Sequence, residues 1–449
     1  MRQKMSLASS FVRTAYLLIT FLLSRGVLMA QPDSLQYLSL EDAVKTVMEQ
    51  NKSLETANLE QKIAEANFRQ TDAIFLPQIG FSYTAMRTNN PMNAFGFKLQ
   101  QQTITQQDFD PARLNDPSSL NDVATSVDIR QPLLNPDMYF ERQGALTQKE
   151  LYKYKSLRTK EYIGFETEKA YLQLQLAYEA DRVAKESLET AQRILSTTTH
   201  LNEQGLIKKS DLLLVQVHEL GMKSRQAQTG NAILNVSDYL NFLMGQPSGI
   251  VYTVDEMSDA LLPVNAAKTV PDSRADFMAM QKAIEASDQM IKASQMSYLP
   301  KLNAFGSYQF HDKKLAGFGS DSYLAGIQLS WNIFDGNTRR FKLKSRMLET
   351  EKLETELASQ KEQGQLELNK ALRDIDEANF MVRQQKTAVE QAGEALRMLQ
   401  NRYEQGLATT TDVLTAETLL AQQKMSYAQS IFAVRLNTAY LHFTTSVTQ

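Results

Sequence analysis

Asp211 and Asp412 stand 201 positions apart, in matching places of a repeated phrase. Asn202-Glu203-Gln204-Gly205-Leu206, followed by Ser210-Asp211-Leu212-Leu213, returns as Tyr403-Glu404-Gln405-Gly406-Leu407, followed by Thr411-Asp412-Val413-Leu414. A glycine and then a leucine mark a helix that ends in a left-handed residue and closes with a hydrophobic contact. Gly205 with Leu206 and Gly406 with Leu407 therefore read as two tight turns. Carboxylates just beyond such turns have two uses. They cap the next helix, where the positive end of its dipole favours them, and Ser210 or Asp211 and Thr411 or Asp412 are the expected caps. Gathered from several copies of a chain, they form an acidic ring that favours cations and draws basic partner groups.

Little else in the chain suggests chemistry. His200, His218, His311 and His442 have no metal-ligand spacing, no Met-His cluster is present, and Ser and Asp residues lack a plausible His partner. No glycine-rich loop follows a strand. The chain has no cysteine, so a disulfide frame, a thiolate metal site and a lipidated N-terminal Cys are all ruled out. The reading is of a protein that is not an enzyme and uses no cofactor or bound metal.

The repetition extends upstream, where Phe75-Leu76-Pro77-Gln78-Ile79 returns 223 positions later as Tyr298-Leu299-Pro300-Lys301-Leu302. The extra offset fits an insertion in the first copy between Met86 and Thr125, where Asn, Pro, Gln and Asp collect. Two copies of one supersecondary unit follow: residues 31–245 and 273–449, joined by a crossover over 246–272.

Residues 1–30 have the makeup of a secretory signal: Arg2 and Lys4, a nine-residue apolar run from Ala15 to Leu23, and Ala30 at the end. Its removal leaves 44 basic against 51 acidic residues, which speaks against nucleic acid as a partner. No later stretch is long and apolar enough for a transmembrane helix.

The turns must be carried by long helices. Ile375, Val382, Val389, Leu396 and Tyr403 recur at sevens, with Ala378, Ala392 and Leu399 beside them. The first copy repeats this with Leu174, Leu188 and Leu195, broken only at Asp181. The expected long helices are 137–203 and 337–404. Pairs of shorter ones (40–74 with 210–244, and 273–297 with 411–443) fit end to end beside them.

Four other segments alternate with period two: about 77–86, 125–133, 300–310 and 323–334. Tyr323, Ala325, Ile327, Leu329 and Trp331 share one face of the last, and Ile79, Phe81, Tyr83 and Ala85 one face of the first. Ten residues with one apolar and one polar face is the pattern of a tilted transmembrane strand, and Tyr83, Tyr308, Tyr323 and Trp331 read as an aromatic girdle at a lipid boundary. Residues 87–125 and 311–322 would be outer loops. Four strands cannot close a barrel, and an open edge in lipid strands unpaired amides, so several chains must contribute to one barrel. The alternative is a soluble periplasmic coiled-coil scaffold or tether without a pore.

The order helix, LP-strand, loop, strand, long helix, G-L turn and TD-type helix start, given twice over about residues 37–445, resembles the TolC-like outer-membrane efflux proteins. Leu240-Asn241-Phe242-Leu243-Met244-Gly245-Gln246-Pro247 looks like that family's end-of-repeat motif. Ile333-Phe334-Asp335-Gly336 looks like its strand-to-helix corner, with Leu133-Leu134-Asn135-Pro136 as a weaker twin. The resemblance implies a mixed α and β membrane protein: a homotrimeric duct with a transmembrane β-barrel over a long antiparallel helical barrel. It implies docking to a periplasmic adaptor and an inner-membrane pump, and export of small molecules or proteins. By motif it places gate residues at Tyr403 and Asp412, with Asp211 as counterpart, and adaptor contacts at Gly205, Leu206, Gly406 and Leu407. Ala408 and Thr415 depart from the family pattern where a tyrosine-linked basic residue and a second acid are expected.

Overall fold

A computed structural model describes residues 35–258 and 268–447. The expected leader, residues 1–30, and part of the crossover between copies lie outside them. Two helices dominate: α5 (Pro136–Glu203) and α8 (Thr338–Glu404), each about 100 Å long at the usual rise per residue. Pro136 starts the first at a position where its missing N–H costs nothing. Neither helix breaks at its internal glycines. At Gly144 a Cβ would meet the terminal methyl of Met290 on α7 (Ala275–Met296), which would have to move aside.

The sevens of the sequence are the buried seam: Leu174, Ala184, Leu188 and Ala191 on α5, and Ile375, Val382, Leu396 and Tyr403 on α8. Asp181, the break in that pattern, is itself buried. Its carboxylate accepts from Thr229 at 2.9 Å, which ties α5 to α6 (Lys209–Leu243), and it pairs with Lys185. A buried charge with two partners replaces one apolar knob.

Each long helix is flanked by shorter ones laid end to end. α7 and α9 (Thr410–Thr444) both lie against α5 and α8, while α1 (Leu40–Gln50), α2 (Lys52–Gln70) and α6 lie along the other side of α5. The helix expected over 40–74 is two helices and a terminal 3-10 turn (Thr71–Ile74). Asn51 causes the break. Its side-chain oxygen caps α2 by accepting from Ser53 and Leu54, and its amide donates to the Leu243 carbonyl at the end of α6. The same joint requires Gly245, at φ +65°, where a Cβ would sit 2.7 Å from the Gln50 carbonyl. Within the crossover, β4 (Tyr252–Thr253) pairs parallel with β1 (Gln36–Tyr37).

Beyond the helices lies a four-stranded antiparallel sheet in the order β2 (Gln78–Thr88), β3 (Leu120–Leu134), β5 (Lys301–Asp312), β6 (Ser320–Ser330). The second segment, β3, is longer than the expected 125–133 because Leu120–Arg130 pair along the whole of β2. The expected loop 87–125 includes two short helices, α3 (Pro91–Gln100) and α4 (Pro111–Asn115). Both have a proline at N1 and a capping side chain (Asn90 and Asp110), a start signal that a search for period alone passes over.

The molecule is therefore a wall with two unlike sides. Strand β2 and helices α1, α2 and α6 lie along one, and strand β6 and helix α8 along the other.

Candidate functional site

Both turns at the far end of the wall are built as the sequence suggests. Gly205 and Gly406 are left-handed at φ +71° and +72°, and the amides of Leu206 and Leu407 donate back to the carbonyls of Leu201 and Arg402 at 2.9 and 2.8 Å. The hydrophobic contact expected of these leucines is not made within the chain. Leu206 and Leu407 are 67% and 63% exposed, because each turn projects past the last packed layer.

The caps also differ from expectation. Helix α9 is capped by Thr409, not by Thr411. Thr409 donates its N–H (3.0 Å) and hydroxyl (2.7 Å) to Asp412 Oδ2, and its oxygen accepts from the Asp412 amide. The Thr409 hydroxyl, then its amide, and then the charge of Arg402 hold the Asp412 carboxyl below its ordinary value. In the first copy Lys208 stands where Thr409 does and α6 has no side-chain cap. Half-buried Asp211 lies in its first turn, with Ser210 at 3.4 Å. The two aspartates thus match in sequence but not in environment.

Tyr403 is 4% exposed, packed with Ile194, Val215, Leu396, Val413 and Ala416, a cluster that joins all four helices of this end. Its hydroxyl lies 2.9 Å from that of Thr198 and 3.1 Å from that of Thr410, both buried. One turn further in, His218 Nε2 on α6 meets Glu417 Oε2 on α9 at 2.8 Å, with Glu417 2% exposed. Sequence reasoning missed Thr198, Thr409, Thr410 and Glu417. Only Thr409 carried a signal, the capping-box spacing to Asp412.

At the other end, register sorts the sheet into two faces. Phe81, Val127, Tyr308 and Tyr323 form one rung, and Ile79, Ile129, Gly306 and Ala325 another. The opposite face carries Ser82, Ser126 and Gln309 on one rung and Gly80, Asp128 and Ser307 on the next, with Met86, Ala124, Phe305 and Leu324 as apolar exceptions. A strand of this length, tilted at ~40°, stands ~25 Å tall, the height of a membrane-facing apolar band. The four aromatics expected to form a girdle do not lie in one belt. Tyr83, Tyr308 and Tyr323 lie on adjacent outer rungs, whereas Trp331 follows β6 at the helix end, its indole N–H donating to the Tyr298 carbonyl at 2.9 Å. At the corner beyond it, Gly336 and Asn337 are both left-handed, and Asp335 accepts from Arg339.

Among the described residues there is no cluster of acids and histidines fit to hold a metal, and no helix is long and apolar enough to cross a membrane. The pattern that defines the outer membrane efflux protein family matches residues 43–246 and 268–432. The chain belongs to that family, whose members are outer-membrane efflux channels. The fold is that of several solved structures. They include CusC (15% identity, 93% of this chain and 98% of that one, TM-score 0.77), VceC of Vibrio cholerae (17%, 91% and 96%, 0.75) and the CmeC outer membrane channel of Campylobacter jejuni (15%, 90% and 85%, 0.77). Comparison with curated proteins gives no sequence match.

Proposed function

We propose that three copies of this chain form a passive exit duct: a twelve-stranded barrel in the outer membrane of a Gram-negative cell, continuous with a helical tunnel in the periplasm. The observation that carries this reading is the pair of unlike open sides. Strands β2 and β6 both end the sheet with unpaired backbone, which lipid does not tolerate. Helix α6 exposes Leu213, Val217, Leu220 and Phe242, and α8 exposes Leu366 and Phe380. Unlike sides pair head to tail, and a ring results when the rotation closes. Two copies would bring eight strands, which enclose only side chains, whereas three leave an aqueous lumen. The duplicated halves, 31–245 and 273–449, make that ring pseudo-sixfold.

In this assembly the apolar sheet face meets lipid, with Tyr83, Tyr308 and Tyr323 at the outer boundary and Trp331 at the inner one. The tunnel closes at the turns. Asp211 and Asp412 from three chains supply carboxylates to the mouth, and Tyr403 holds the copy-two helices against the copy-one pair. Gly205, Leu206, Gly406 and Leu407 present exposed leucines to a periplasmic adaptor, which opens the mouth by untwisting those helices. An inner-membrane pump supplies the energy, and the cargo is small molecules such as drugs and toxic compounds, or proteins. Purified protein in planar bilayers tests this. A cation-preferring conductance blocked by divalent ions is expected, with Asp412→Ala lowering the preference and weakening the block. No conductance from either form would end the pore reading.

A further inference from the structure

We infer that the excursion between β2 and β3 is the outer constriction of the duct, pinned across the lumen-facing side of the sheet by a buried polar cluster. This inference rests on the trimeric pore proposed above. Residues 89–119 carry α3 and α4, whereas the corresponding connection in the second copy is only 313–319. Register fixes the side of the sheet on which the excursion lies. Asp122 pairs with Met86, and His311 with Ala124 and Ser320, so Asp122, His311 and Ser320 share the polar face with Ser82, Ser126 and Asp128. The residues ending α3 bind this face. Gln101 Nε2 donates to Asp122 Oδ1 at 2.9 Å and to the Asn121 carbonyl, and the Ser320 hydroxyl donates to the Gln100 carbonyl. The second Asp122 oxygen faces His311 Nδ1 at 3.0 Å.

Gln101, Asp122, His311 and Ser320 are all at most 6% exposed. Four polar side chains at the rim of a sheet are dry here because the excursion covers them. A buried network of this kind, with both Asp122 oxygens partnered, fixes one geometry. The excursion is braced in turn by Lys98 on α3, which binds Asp108. Size makes this cover a constriction. Twelve strands ~4.8 Å apart and tilted ~40° close a ring ~24 Å across, backbone to backbone. Three helices ~10 Å wide, one from each chain, fill a circle of ~22 Å. The short hairpin of the second copy leaves the other side of the sheet's outer end to Phe318, which stacks edge-on against Phe310. The two connections therefore divide the rim between lumen and exterior.

Because the chain has no cysteine, a single introduced thiol reports on access to the lumen. Gln328→Cys places it on the exposed polar face of β6, well below the rim. Intact cells carrying the full-length protein are treated from outside with a small hydrophilic maleimide or a long polyethylene-glycol maleimide. The small reagent is expected to label and the large one to be excluded. Two unpinned backgrounds, Gln101→Ala with Ser320→Ala, and a short Gly-Ser turn in place of 89–119, should each raise the large-reagent rate at least tenfold. Should the native background take up the large reagent readily, or neither altered background gain access, the excursion is not the constriction. If even the small reagent fails in every background, the lumen assignment, and with it the pore, is wrong. Expression of the point-substituted form guards against a folding failure of the deletion.

Discussion

The hydroxyls of Thr198 and Tyr403 meet at 2.9 Å across the join between the two repeats. Thr198 spends its own proton on the Ile194 carbonyl at 2.7 Å, so it accepts from Tyr403, and Tyr403 in turn accepts from Thr410. The proton order is thus fixed along four groups, all in a dry cluster. Tyr403→Phe leaves Thr410 with a buried unpartnered hydroxyl and should cost about 1–3 kcal/mol. On the proposed gate it also raises open probability. Thermal unfolding and single-channel recording check the two effects, and a stable variant with unchanged gating would remove Tyr403 from the latch.

Left-handed glycines at three helix ends are not equivalent. Gly406→Ala meets open space and suffers only the backbone penalty, about 1–2 kcal/mol. Gly245→Ala adds a clash with the Gln50 carbonyl at the joint between α1 and α6, so it should lose clearly more. Matched melting curves decide this, and equal losses would mean the joint yields.

Removal of the histidine from the His218–Glu417 pair strands a carboxylate that is 2% exposed between α6 and α9. His218→Ala should destabilise by about 3 kcal/mol. Glu417→Leu in the same background should recover part of that, because the penalty comes from the unpaired charge. The four corners of the double-mutant cycle measure the coupling. Strict additivity would show the pair to be incidental.

The Asp412 cap has a definite pH sign. Its folded carboxyl lies below the unfolded value of about 3.9, so its stabilisation is complete above that value and fades as pH falls through the folded one. Thr409→Ala removes the largest cause, and the carboxyl midpoint followed by NMR should climb toward about 3.9. A midpoint that stays put would mean that something other than the cap depresses it.

The sequence reveals most where a physical rule has a period. Ile375, Val382 and Leu396 show as a seam at sevens because burial imposes that spacing, and Ile79, Phe81 and Tyr83 alternate because a sheet has two faces. Single contacts with no period are hidden. Asn51 breaks a helix because it touches Leu243, a residue 192 positions away. Thr198 has no local signal, since its role comes only from Tyr403 across the repeat join. Asp122 and His311 look like scattered polar residues until strand register brings them together beneath Gln101. The cap at Thr409 is hidden for another reason: the repeat offers Lys208 at the matching position, so only the capping-box spacing from Thr409 to Asp412 marks it.

On the trimeric proposal, the two open sides of one chain are satisfied only by other copies of it. The mass of the detergent-solubilised protein, measured by light scattering with the detergent contribution subtracted, tests it directly. Three chains per particle are expected. A stable single chain that stays in solution without detergent, its β2 and β6 edges protected from hydrogen exchange, would contradict it.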